Sequence, residues 1–216
     1  MSHEAHDHEI MFTAEYWDER YGSAESIWSG NPNPRLVSVA QELRPGAALD
    51  VGCGEGADAV WLAARGWRVT GVDVSTVALQ RAERAARTAG PGLADLITWQ
   101  QADVLSWEPD PDAYDLVSAQ FMHLPWEDLQ RLHRRLAAAV RPGGTLLIVG
   151  HHPSDVAAIP RPGHVAALMY PAERMAETFD GAGWQVEASN PARPFVDPDG
   201  NTVTLHDAIV RAVRRG

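Results

Sequence analysis

The sequence predicts an α/β fold, a Rossmann-like parallel sheet wound on both faces by helices, and three observations predict it. Short apolar runs at 47–51, 67–72, 96–101, 114–119 and 144–149 are interleaved with helical patterns at 57–65, 76–89 and 125–139. The runs are nearly continuous in apolar residues, as strands covered on both faces must be. A glycine-rich turn follows the first run, and open sheets of this class bind ligands at the carboxyl ends of their strands.

Taken in order, residues 1–12 read as a solvated tail. They carry His3, His6 and His8, which could hold a transition metal, but chain termini are rarely fixed enough to do so, and no metal site is expected. Residues 13–45 form a helical cap: Thr13 caps a helix bearing Tyr16, Trp17 and Tyr21, and Asn33 with Pro34 opens a second, with Trp28 in the loop between. Residues 46–150 are the core. Ser75 caps the 76–89 helix and Gly90 stops it. Residues 151–170, rich in Pro, Gly and His, lack periodicity and read as a substrate loop. In 171–216 a helix runs to Phe179, and runs at 184–188 and 202–210, flanking the turn residues 197–201, predict an antiparallel hairpin.

Composition narrows the function. The 216 residues suit one domain, residues 13–216, and no apolar run approaches the length of a membrane helix. Cys53 is the only cysteine, which forbids an intrachain disulfide and suits a reducing, cytoplasmic setting. The acidic N-terminus reads as no export signal. A net charge of −11 opposes the counterion release that drives nucleic-acid binding. Every one of the 18 basic residues is arginine, so Schiff-base, pyridoxal-phosphate and phosphate-loop lysines are excluded.

The segment Asp50-Val51-Gly52-Cys53-Gly54-Glu55-Gly56 is a strand entering a glycine-rich turn and then a helix. Glycines allow the backbone close to a ligand, and the free N–H groups of the helix start favour an anion. The dinucleotide fingerprint wants its third glycine at the sixth position of the turn; that position is Ala57, and the extra glycine is Gly56. Asp73, with Val74 after it, closes the second strand at the spacing where an acid accepts from ribose hydroxyls. Asp103 follows the third strand, placed to accept from an adenine amine beside Val104. Together these residues describe a nucleoside with a zwitterionic tail.

These motifs resemble those of the class I S-adenosylmethionine-dependent methyltransferases over roughly 47–149. Residues 50–56 match the family's first motif, 69–73 its acidic strand end, Asp103-Val104 its adenine pair, and Arg141-Pro142-Gly143-Gly144 the turn into its fifth strand. The resemblance implies a seven-stranded sheet in the order 3-2-1-4-5-7-6 with strand 7 antiparallel. It implies S-adenosylmethionine as cofactor and S-adenosylhomocysteine as product, with Asp50, Gly52, Cys53, Gly54, Asp73, Val74, Asp103, Val104, Gln120 and Trp28 as binding residues. The segment Tyr16-Trp17-Asp18-Glu19-Arg20-Tyr21 with Trp28 is similar to the N-terminal helices of thiopurine, halide or thiol, and tellurite-resistance methyltransferases, which implies a small-molecule acceptor.

Chemistry beyond the cofactor rests on histidines. His123, just past the fourth strand, and His151 or His152, leaving the fifth, stand at the edge where the transferring methyl would lie, and an imidazole can take the acceptor's proton; His123 and His151 are the catalytic candidates. His133 shares a face with Leu129, Leu132 and Leu136 and reads as a packed or hydrogen-bonded core residue. Cys53 is expected to meet the ligand through its backbone. Two alternatives stay open on the sequence: a nicotinamide-dependent oxidoreductase, and a protein that holds S-adenosylmethionine without turnover.

Overall fold

The computed structural model describes residues 12–159, 163–179, 181, 183–197 and 199–216. The three N-terminal histidines lie outside the described residues. Phe12, assigned above to the tail, packs against the core. Helix α1 (Ala14–Gly22) starts on Thr13, whose hydroxyl accepts from the Tyr16 N–H, and α2 (Pro34–Ala40) starts on Asn33, whose side chain accepts from Arg35 N–H with proline at the first helical position. Each cap satisfies an N–H that the helix itself cannot.

The core then runs β1 (Ala47–Val51), α3 (Ala57–Ala63), β2 (Arg68–Asp73), α4 (Thr76–Ala89), β3 (Ile97–Gln101), β4 (Tyr114–Gln120), α5 (Trp126–Ala139) and β5 (Val140–His151). Ser75 caps α4 by accepting from the Ala78 N–H, and Gly90 ends it. The first five strands are parallel, in the order β3-β2-β1-β4-β5. Strand β5 starts earlier than the sequence suggested because Val140 already pairs with Tyr114 ahead of a register shift.

Alternation along each strand divides the interior in two. Leu49, Val117, Leu146 and Ile148 face Leu129, Leu132 and Leu136 of α5, while Ala48, Leu116 and Leu147 share the other layer with Leu36 of α2, Ala59 and Leu62 of α3, and Ala86 of α4. Each buried leucine contributes roughly 1.5–3 kcal/mol, so the near-continuous apolar strands are explained by the two layers they serve.

The last third departs from the expected pattern. Residues 151–170 include a 3-10 turn, Pro153–Ala157, and a one-turn helix α6 (Gly163–Ala166), and the following helix α7 (Ala172–Ala176) gives way to 3-10 geometry through Phe179. Beyond β6 (Trp184–Ser189) comes a strand the sequence reading did not assign, β7 (Ala192–Val196), before β8 (Thr202–Arg214). The predicted turn at 197–201 therefore joins β7 to β8, not β6 to β8. Gly200 N–H donates to the Asp197 carbonyl in that turn. The first residues of β8 pair with β7, and the rest lies antiparallel between β5 and β6, giving β3-β2-β1-β4-β5-β8-β6 with β7 as an eighth strand. Pro194 lies within β7, which pairs with β8 alone, and an edge position is where a sheet tolerates proline.

Candidate active site

The carboxyl ends of β1, β2 and β4 converge on the turn after β1. Asp50 is 3% exposed, and burial, followed by the charges of Asp58 and Asp73, holds its carboxyl well above the usual carboxylate range; the Ala59 N–H opposes this. Its Oδ2 finds no hydrogen-bond partner among the described residues. Asp58, in the first turn of α3, was not singled out from the sequence. Its Oδ1 accepts from Asn33 N–H at 2.6 Å and its Oδ2 from Gln120 Nε2 at 2.6 Å, yet burial keeps its pKa raised. Gln120 also donates to Ser118 Oγ at 3.0 Å, and its Oε1 is buried without a partner among the described residues.

Asp73 ties the turn together. Its Oδ2 accepts from Gly54 N–H at 2.8 Å and its Oδ1 from Ser75 N–H at 2.9 Å, and burial outweighs both in raising its pKa. Three carboxyl groups thus crowd one turn, and like charges at such range disfavour joint ionisation. A ligand bearing a positive group relieves that crowding, and the orphaned Asp50 oxygen is an acceptor available to it. The residues therefore fit a cationic, amine-bearing ligand.

The two glycines at the heart of the turn have separate reasons. At Gly56, the first residue before α3, φ is +83° and a Cβ would stand 2.7 Å from Ala82 Cβ and from the Trp99 ring; helix packing explains a glycine at the fifth position of the turn. At Gly54, φ is +52° and a Cβ would stand 2.9 Å from Tyr21 Oη. That hydroxyl accepts from Trp28 Nε1 at 2.9 Å, which sets the half-exposed Trp28 over the turn.

The cap is fastened at two points. Glu55 accepts from Ile27 N–H at 3.2 Å, Trp28 N–H at 3.1 Å and Arg81 Nη1 at 2.9 Å, and Arg81 donates on to the carbonyls of Tyr21 and Ala24. Asp18 accepts from Ser75 Oγ at 2.6 Å and from Val77 N–H at 3.2 Å. Burial raises both carboxyls, and the hydrogen bonds outweigh it, so both titrate below their ordinary values. No role was assigned to Asp18, Glu55 or Arg81 from the sequence, since a single charge carries no signal of a partner that only the fold brings to it.

The remaining expected cofactor residues line up along the same edge. The Val74 carbonyl accepts from Gln101 Nε2 at 3.2 Å, Asp103 Oδ1 accepts from Leu105 N–H at 2.8 Å, and the Val104 carbonyl accepts from Arg135 Nη2 at 2.7 Å. Ala102 N–H donates to the Asp73 carbonyl at 3.0 Å, which brings the β3 end against the β2 end. Cys53 is buried, its thiol pushed well up by burial and by Asp50 and Asp73, while its N–H donates to the Val72 carbonyl at 3.0 Å.

The histidines gather on the other side of β1. Phe121, at φ +54°, turns the chain out of β4 in a backbone region costly for a side-chain-bearing residue. Met122 follows it, with Sδ 2.8 Å from where a Gly52 Cβ would be. The His123 and His151 rings stack at 5.4 Å, and the Phe121 ring lies 4.5 Å from His151. The three rings, with Leu168, Tyr170 and Met175, line a cavity that runs from the ends of β4 and β5 toward α5. His152 turns elsewhere: its Nδ1 lies 2.8 Å from Ser154 Oγ. His133, 1% exposed, also lines this cavity, and neither of its nitrogens has a hydrogen-bond partner among the described residues. It is packed, as expected, but not hydrogen-bonded.

Comparison with known proteins decides among the readings that this geometry allows. The methyltransferase domain family matches residues 48–144, which span β1 to the start of β5. The chain is 28% identical over 196 residues to a 2-heptyl-1-hydroxyquinolin-4(1H)-one methyltransferase of Mycobacteroides abscessus, covering 88% of this chain and 83% of that one. The match and this likeness support a class I S-adenosylmethionine-dependent methyltransferase. The methyltransferase is also 34% identical over 147 residues to a trans-aconitate 2-methyltransferase of Paracidovorax citrulli, covering 66% of this chain but only half of that relative's length. A solved structure from work on the conversion of a disulfide bond into a thioacetal group during echinomycin biosynthesis superposes with a TM-score of 0.72 at 25% identity, covering 94% of this chain and 92% of that one. S-adenosylmethionine is accordingly the cofactor, and the nicotinamide-dependent and non-catalytic alternatives fall away.

Proposed function

We propose that the methyltransferase, acting as one unit over residues 13–216 in a reducing cytoplasmic setting, methylates the hydroxyl or thiol of a small, flat, largely apolar acceptor. The observation that carries this reading is the cluster of rings at the ends of β4 and β5, the stacked His123–His151 pair with Phe121 against His151, which adjoins the glycine turn through Met122. A planar ring system has aromatic faces there to stack on, and among the described residues no arginine lies beside them. The quinolone acceptor in the relative's name is of that kind.

When bound, S-adenosylmethionine supplies an electrophilic methyl on a sulfonium centre and departs as S-adenosylhomocysteine. In our assignment Asp50 and Asp58, the latter held by Gln120, receive its ammonium group; Gly52, Cys53 and Gly54 offer backbone to its methionine end. Asp73 and Val74 meet the ribose, Asp103 and Val104 the adenine, and Trp28 closes over the turn. His123 or His151 takes the acceptor's proton at an imidazole nitrogen as the carbon–oxygen or carbon–sulfur bond forms. Holding acceptor and methyl in line supplies most of the rate, and the base contributes roughly 10²–10⁴-fold.

The test is to incubate the enzyme and S-adenosylmethionine separately with 2-heptyl-1-hydroxyquinolin-4(1H)-one, thiophenol and trans-aconitate, and to look by mass spectrometry for products heavier by one methylene. Methylation of either aromatic acceptor is expected, with the rate lowered roughly 10²-fold or more in His123→Ala or His151→Ala. Methylation of trans-aconitate alone would sink the reading.

A further inference from the structure

Asp207 gathers two arginines at the strand next to His151. It lies on β8 directly opposite His151 of β5, and side chains along a strand alternate between the two faces. Val149 of β5 and Ile209 of β8, each two residues from this pair, pack in the layer shared with α2, so His151 and Asp207 stand on that same face as cross-strand neighbours, at a Cβ separation of roughly 5 Å. The Asp207 carboxylate is 3% exposed. Its Oδ2 accepts from Arg35 Nε of α2 at 2.9 Å and its Oδ1 from Arg193 Nε of β7 at 2.7 Å. Asn33, two residues before Arg35, donates its N–H to Asp58, so one end of α2 ties the carboxyl cluster of the glycine turn to the strand beside His151. Each arginine uses only its Nε on Asp207: the Nη groups have no hydrogen-bond partner among the described residues, and the side chains keep 28% and 30% of their surface exposed. Two guanidiniums on one carboxylate leave a local charge of one positive unit, in a chain whose net charge is −11.

We infer that Arg35 and Arg193, held in place by Asp207, form a binding site for a single anionic group, a carboxylate carried by the acceptor on the side away from the methylated atom. The inference rests on the proposed acceptor site and narrows its occupant to a flat ring system bearing one carboxylate. Charge selects the single anion: two guanidiniums, Asp207 and one ligand carboxylate sum to zero, whereas a second anionic group would have no counter-ion. Geometry selects the carboxylate, because the planar fork of an arginine matches its two oxygens. Fixing both side chains at Nε orders their outer ends before the ligand arrives, which lowers the entropy lost on binding. The rings of His151 and Phe121 take the body of the acceptor, and the arginines, across on β8, take its charged edge.

The experiment measures 2-naphthoate and its neutral analogue 2-naphthamide by calorimetry on the full chain saturated with S-adenosylhomocysteine, in wild type, Arg35→Gln, Arg193→Gln, Arg193→Lys and Arg141→Gln. Wild type should bind 2-naphthoate about tenfold or more tighter than 2-naphthamide, the worth of one charge-assisted hydrogen bond, and the preference should shrink as salt rises. Arg35→Gln and Arg193→Gln should each remove most of that preference and leave 2-naphthamide as it was. Arg193→Lys keeps an ion pair with Asp207, and with it the local fold, but has no further nitrogen to offer, so it should lose the preference as well. Arg141 pairs with Asp115 at the opposite end of β5; Arg141→Gln removes the same charge away from the site and should change neither affinity. A wild type that binds both probes equally, or an Arg193→Lys variant that keeps the full preference, overturns the anion site while the acceptor reading stands. If wild type binds S-adenosylhomocysteine but neither probe, both readings fail.

Discussion

At the scale of single residues, the predictions rest on buried carboxyls and a buried histidine. Asp73 holds the Gly54 and Ser75 amides, so Asp73→Asn keeps one acceptor oxygen and the shape while removing the charge. It should weaken S-adenosylhomocysteine at least tenfold in calorimetry; an unchanged affinity would remove Asp73 from the binding set. His133 gives a pH prediction with a definite sign. Its folded pKa of about 3 lies below the unfolded value of 6.5, so between those values the unfolded chain binds the extra proton. The histidine's contribution is therefore full above about pH 6.5 and is lost as pH falls toward 3, at up to ~1.4 kcal/mol per pH unit. His133→Phe should flatten the fall in melting temperature between pH 6.5 and 4; a parallel curve would place the imidazole in contact with water. The sequence showed Asp50, Asp73 and the glycines because a motif fixes their mutual spacing. It did not show Asp58, which joins them only through the fold: Asn33 and Gln120, its partners, are 25 and 62 residues away.

At the scale of elements, the cap is the part most open to experiment. Helix α1 and the loop after it are held over the glycine turn by Glu55 with Arg81 and by Asp18 with Ser75. The Arg81–Glu55 pair is mostly buried, with side chains 17% and 14% exposed, so removing one partner leaves the other charge poorly solvated. Arg81→Ala should therefore speed hydrogen exchange in α1 while leaving β1, β4 and β5 protected, and should raise the KM for S-adenosylmethionine more than it lowers kcat. Equal loss of protection across cap and sheet would mean that Arg81 supports the whole fold instead. Caps, turns and strand runs in the first 150 residues were legible because their signals are local: Thr13, Asn33 and Ser75 all cap where their sequence context placed them. Strand β7 was not, because it is short, carries Pro194, and exists only through pairing with β8.

At the scale of the whole molecule, cofactor, protons and stability are linked. Burial and the neighbouring carboxyls raise the Asp50 pKa well above its ordinary 3.8. For a raised acid the sign is the reverse of that for His133: its stabilising contribution is complete below the unfolded value and is lost as pH rises through the folded one. The free enzyme thus carries a cluster that grows less favourable as it ionises, in a chain whose net charge is already −11. An ammonium group bound beside Asp50 reverses this by favouring the ionised form. S-adenosylhomocysteine at a hundred times its Kd should then add about 2.7 kcal/mol to the unfolding free energy, or roughly 5–10 °C in melting temperature for a chain of this size, and NADH should add nothing. The gain should also grow as pH rises through the Asp50 titration, with proton release on binding, visible as a calorimetric enthalpy that depends on the buffer's own ionisation heat. In Asp50→Asn the gain should shrink and lose its pH dependence. A gain that is already independent of pH in wild type, with no proton released, would place the ammonium away from Asp50 and leave the orphaned carboxyl oxygen to another partner.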